Sequence, residues 1–321
     1  MLPVQFTDEM KAFAILLIFL AHSHLSETIP FLSYGNYGNA IFLFLSGYGL
    51  YASGGLRPVA WAGFLSKRAR RVLAPAAVFV SLITLVWLLS PELAASLHGF
   101  RVIALGFWMF MRQTLLQTHL WFIAYIFFWY LAYAAASRLP AAPAAKILLL
   151  FGLGFAFTMA AAVFSELYLW AMFAFCFPSG LLLGHLSLRL GPLMQKRLPG
   201  LAACILLLFL SLSINRDEAA EYFLFGMRFA VPFFLFTSVF FGAGLLGISS
   251  TLFSISPWRP LLPLEGVSYE YYLVHLHAIG LAWLMFADPV IGTLLAAALA
   301  CLSALGLQRA ALALFPKKSG A

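Results

Sequence analysis

Lys11 and His22 stand eleven residues apart in the first long apolar stretch of the chain, Met10-Lys-Ala-Phe-Ala-Ile-Leu-Leu-Ile-Phe-Leu-Ala-His-Ser-His24. In a helix that spacing is about three turns, so both side chains share one face roughly 16 Å apart along the axis. Ionisable groups within an apolar helix mark a site by default. A neutral imidazole is the usual general base for taking a proton from a hydroxyl. The plainer alternatives are a lysine that anchors the helix at the cytoplasmic edge and a histidine hydrogen-bonded to a neighbouring helix. His24 and Glu27 follow one or two turns later, where an interfacial position competes with a place along the same path.

Three other segments carry polar groups suited to chemistry. In Phe64-Leu-Ser-Lys-Arg-Ala-Arg-Arg-Val-Leu-Ala-Pro75, Lys67, Arg68, Arg70 and Arg71 fall within five residues. Read as a loop between two spans, this cluster exceeds what orientation requires. Arg68 and Arg71, three apart at the mouth of a helix, can face one way and clamp a phosphate; contact with anionic lipid is the competing account. In Gly266-Val-Ser-Tyr-Glu-Tyr-Tyr-Leu-Val-His-Leu-His277, Ser268, Tyr272 and His275 form one stripe at i, i+4 and i+7. They are expected to line a buried network or cavity within a bundle. His119 and Trp121 open another apolar segment, as lining residues or as aromatic-belt anchors. Ser46-Gly47, in mid-span, permits close helix approach. There is no Walker loop, dinucleotide fingerprint or zinc spacing, and Cys176, Cys204 and Cys301 lie in apolar runs as packing residues.

The elements that must position these groups are membrane helices. Of the 321 residues, 64% are hydrophobic and 9% charged, where a soluble domain carries about a quarter charged residues. Spans of about 20 apolar residues are expected at 10–26, 36–54, 72–90, 119–137, 145–164, 167–187, 198–214, 222–248, 267–287 and 289–312, with Phe100–Met111 as an interfacial or re-entrant piece. The expected fold is thus an all-α integral membrane bundle of about ten transmembrane helices with both termini cytoplasmic. It is expected to form a single membrane domain over 1–321, with a retained first span and no separate soluble domain. The formal charge of +8 is spread through loops rather than gathered into a nucleic-acid patch. With the N-terminus inside, fifteen of the 19 basic residues lie on the cytoplasmic side, leaving Arg101, Arg112, Arg216 and Arg228 outside.

Five motifs occur in order along this frame: Lys11 followed by His22, Phe44-Leu-Ser-Gly47, Arg68-Ala-Arg-Arg71 with Leu73-Ala-Pro75, His119-Leu-Trp-Phe122, and Ser268-Tyr-Glu-Tyr-Tyr-Leu-Val-His275. The set resembles the acyltransferase-3 family of polytopic membrane O-acyltransferases, over about residues 7 to 312. That resemblance implies acetyl-CoA, or another acyl-CoA, as cytoplasmic donor, with its phosphates near Arg68 and Arg71; with no zinc spacing in the sequence, no metal is expected. It implies an acyl arm threading toward His22, and as acceptor a hydroxyl of a cell-surface glycan or lipid-linked precursor outside the cytoplasmic (inner) membrane. The family pattern begins with arginine where this chain has Lys11, which supplies charge without a bidentate fork. His22 either accepts the acceptor's proton or is itself briefly acylated. The rival reading is a transporter or exporter of a glycolipid or polar metabolite, with Lys11, His22 and His275 along its path.

Overall fold

The computed structural model describes residues 4–29, 35–89, 120–161, 167–194 and 266–316, with Leu32, Phe164, Leu261 and Leu264 as single positions between them. The expected spans 198–214 and 222–248, the segment Phe100–Met111, and His119 lie outside the described residues. The described elements are helices, with no strand among them. They are α1 (Val4–His22), α2 (Leu25–Thr28), α3 (Gly35–Gly54), α4 (Trp61–Leu89), α5 (Trp121–Ser137), α6 (Pro143–Ala161), α7 (Tyr168–Met172), α8 (Cys176–Met194), α9 (Ser268–Met285) and α10 (Pro289–Leu314). In hydrocarbon each backbone polar group must be satisfied within its own segment, which selects helices for such an apolar chain. Among the described residues four stretches are long and apolar enough to cross a membrane: Trp61–Val86, Pro143–Ala160, Leu169–Ser187 and Pro289–Leu314. Leucines such as Leu82, Leu148, Leu294 and Leu302 point outward, as a lipid-facing surface requires. The protein is a membrane protein, helical in its described elements.

The chain divides into two compact units, and α1, α3 and α5 each contribute to both. Unit I comprises Lys11–Gly38, Ala60–Phe128 and Leu261–Ala321; unit II comprises Met1–Met10, Asn39–Val59 and Trp129–Pro260.

In unit I, α9 is the spine. Against α1 and the turn after it, α9 pairs Tyr271 with Phe19, His275 with His22, and Trp283 with His24. Against α4 it pairs Tyr269 with Val72 and His277 with Phe79. Both series rise together, so α1, α4 and α9 run parallel. The start of α3 runs antiparallel to α1: a Cβ at Gly35 would meet Ala21, and one at Gly38 would meet the Ala14 carbonyl and Ile18. A hairpin returns the chain into α10, whose first turn is capped by Asp288 Oδ1 accepting from the Val290 and Ile291 amides at 2.9 and 2.8 Å. Small residues on α10, among them Gly292, Ala296, Ala300 and Ala304, are buried; such stripes let helices approach closely.

In unit II, α3 and α8 run parallel in backbone contact. A Cβ on Gly47 would strike the Phe177 carbonyl, and one on Gly180 the Phe44 carbonyl. Gly55, at φ 60°, ends α3 in the left-handed conformation, with its amide donating to the Tyr51 carbonyl. Lys146 is buried at 5% exposure, and its Nζ donates to the carbonyls of Leu56 and Ser137 at 2.9 and 2.8 Å. Beyond its expected part in orienting the chain, this lysine ties down the ends of two helices.

Two expected boundaries change. The basic run at 67–71 lies inside α4 rather than in a loop, and Pro75 is also within that helix. Pro75 has no amide to donate to the Arg71 carbonyl; in the same turn, the Tyr269 hydroxyl donates to the Val72 carbonyl at 2.7 Å. The first helix stops at His22 instead of continuing to 26, because the Ser23 hydroxyl turns back to the Leu20 carbonyl at 2.7 Å, an alternative to helical bonding. The span expected at 167–187 is present as Leu169–Ser187, with a turn at Phe173–Phe175 separating α7 from α8 inside it.

Candidate active site

Unit I brings two imidazoles together. His22, the last residue of α1, and His275, in the middle of α9, have ring centroids 5.2 Å apart and planes tilted by 56°. His22 Nδ1 lies 2.8 Å from the Ile18 carbonyl oxygen, and His275 Nδ1 lies 2.6 Å from that of Tyr272. A carbonyl only accepts, so both Nδ1 atoms carry the proton, and in each neutral ring Nε2 holds the lone pair. His22 is exposed, whereas His275 is fully buried. The pair therefore has one accessible ring and one ring packed behind it.

The other stripe residues lie beneath. Tyr272 is buried, with its ring 5.6 Å from His275 and 5.4 Å from Phe122. Ser268 is buried at the start of α9. Trp121 is also buried, against Phe122 and Tyr125, and so is packed rather than set in a belt.

About 9 Å below His275 along α9, the helix meets the basic turn of α4. Glu270 is buried at 9% exposure in the field of the Arg71 guanidinium. Arg68 lies over the Phe64 ring, 5.4 Å from its centroid, and Arg70 Nη2 donates to the Ser66 hydroxyl at 3.3 Å. Lys67, Arg70 and Arg71 are exposed, and Arg68 is half-buried. Lys11 stands on α1, about three turns from His22. At the opposite end of α9, His24 stacks on Trp283 at 3.6 Å, and its Nδ1 is 3.1 Å from the Glu27 carboxylate. Ser46 belongs to unit II, half-buried one residue before the Gly47 contact.

Sequence reasoning passed over Glu270, Tyr269 and Trp283. A carboxylate two residues into a span is itself a signal, and Glu270 could have been singled out on that ground. Trp283 carries no such signal, since one tryptophan in an apolar helix is unexceptional.

Fold and site define the class first: a multi-pass helical membrane protein with a histidine pair set above a basic helical turn. The particular family follows from comparison. The model of the acyltransferase-3 acyltransferase domain matches residues 4–308, so the chain belongs to that family and is a membrane acyltransferase. No curated protein and no solved structure matches the chain.

Proposed function

We propose that the protein moves an acyl group, acetyl in the simplest case, from cytoplasmic acyl-CoA to a hydroxyl of a cell-surface glycan or its lipid-linked precursor. In this reading ten helices span the cytoplasmic membrane with both termini inside, and the acceptor binds on the outer face. The observation that carries it is the exposed His22, held by its Nδ1 bond so that Nε2 is the basic nitrogen, in a chain of an acyltransferase family.

The chemistry follows. The acceptor oxygen attacks the thioester carbon, its proton passes to His22 Nε2, the carbon–sulfur bond breaks, and the thiolate of CoA leaves and takes up the proton. An acyl-histidine route uses the same nitrogen as nucleophile. Arg68 and Arg71, with Lys67 and Arg70 beside them, supply positive charge for the phosphates of CoA at the entry, and Lys11 adds charge along the path. Protein in lipid nanodiscs should transfer acyl groups from acetyl-CoA to a glycan acceptor extracted from the host envelope. His22→Ala should lower the rate by about 10²–10⁴-fold, the range for loss of a general base. Transfer by that variant at the wild-type rate would remove His22 from the mechanism.

A further inference from the structure

A second cleft, mostly apolar in its lining, lies at the end of α9 away from the basic turn, about 12 Å beyond His275. There Ser23, His24, Ile279, Trp283, Gly292 and Thr293 are among the residues that line a shallow, open cleft. The Trp283 indole is 42% exposed although His24 stacks against it, so indole surface remains open. The Glu27 carboxylate, paired with His24, is exposed beside it. Thr293 is buried at 9% exposure, and its Oγ1 makes no hydrogen bond among the described residues. The enclosed part of the cleft admits about one water-sized group.

These features fit together. Buried hydroxyls almost always have a partner, and one that lacks a protein partner marks a place for water or a ligand hydroxyl. A pyranose offers both an apolar C–H face for an exposed indole and a hydroxyl narrow enough for the slot. Its outward hydroxyls can meet the Glu27 carboxylate. An interfacial anchor explains an exposed tryptophan, but it gives no role to the unbonded Thr293 hydroxyl below.

We propose that the cleft at Trp283, His24 and Thr293 is a carbohydrate subsite, in which a pyranose ring stacks on Trp283 and one hydroxyl reaches Thr293. That this ring belongs to the acyl acceptor rests on the acyl-transfer reading above. Ser23 and His24 directly follow His22 in the chain, so a sugar held here approaches the base from the side opposite the donor entry.

Saturation-transfer NMR on the full chain in lipid nanodiscs tests this, using the methyl glycosides of glucose, galactose, mannose and N-acetylglucosamine as probes. At least one glycoside should receive saturation at its ring protons. Trp283→Ala should cut that signal at least tenfold and Thr293→Val at least threefold. Trp283→Phe, which keeps an aromatic face, should retain most of it, and Leu294→Ala, on the outward side of α10, should keep all of it. Thermal unfolding midpoints confirm that each variant is folded. No signal in the wild type, or an undiminished one in Trp283→Ala, overturns the subsite and leaves the acyl-transfer reading standing. A Trp283-dependent signal without acyl transfer has the reverse meaning: the sugar subsite stands and the transfer reading falls.

Discussion

His22 and His275 face each other across two parallel helices with their rings 5.2 Å apart, and each ring is fixed through Nδ1 to a carbonyl of its own helix. Rotation of the buried His275 ring would forfeit a hydrogen bond in a low-polarity setting, where such bonds are expensive to lose. The tautomer and the aim of Nε2 are thus set before any ligand arrives. That is the preorganisation expected of a base.

The two histidines should separate in mutagenesis because their burial differs. His275→Ala empties a fully buried position and should lower stability by about 2–4 kcal/mol, the range for large-to-small core changes, along with acyl transfer. His22→Ala removes an exposed ring and should leave the unfolding midpoint within about 2 °C of wild type, a shift below 1 kcal/mol for a chain this long. Thermal unfolding and transfer measured on the same preparations check the contrast.

Arg71 and Glu270 should couple. Arg71→Ala leaves a buried carboxyl without its nearby cation. Because Arg71 is exposed, the cost should be about 1 kcal/mol rather than that of a fully buried pair. Arg71→Ala combined with Glu270→Gln should recover that stability but not acyl-CoA affinity. Recovery of both would assign Arg71 to its electrostatic effect on Glu270 alone. Isothermal titration with acetyl-CoA and denaturant unfolding give the two readouts.

Lys146→Met should destabilise the protein by about 2–4 kcal/mol, since two helix-end carbonyls lose a charged donor in a buried place. Lys146→Arg should recover little, because a planar fork does not reproduce the compact ammonium. Denaturant midpoints in mixed micelles test both variants.

Gly180→Ala should cost about 1–3 kcal/mol, because its new Cβ meets the Phe44 carbonyl and the backbones of α3 and α8 must part. Gly49→Ala, whose Cβ would meet nothing within 4 Å, should be neutral or slightly stabilising. Unfolding midpoints of the two variants should move apart accordingly.

Much of this was legible in the residues. Apolar runs of span length, the separation of Lys11 from His22 by about three turns, and the i, i+4, i+7 stripe of Ser268, Tyr272 and His275 are local properties, and α1 and α9 preserve them. The motifs that suggested an acyltransferase were likewise readable in order, and the family match agrees with them. Helix ends were less legible. The basic turn lay inside α4, because alanine, arginine and leucine propagate a helix, and that helix runs on through Pro75.

The sequence by itself determined that the chain spans a membrane, which residues are costly to place there, and how they are spaced along each helix, because hydrophobicity and helical period act over short stretches. Which of those residues meet was decided only by tertiary structure. His22 gained His275, Arg71 gained Glu270, and the modest Trp283 gained His24 and a cleft beside Thr293. Those meetings depend on how α1, α4, α9 and α10 pack, and helix packing follows from surface shapes and small-residue stripes that the local pattern of polar residues does not encode.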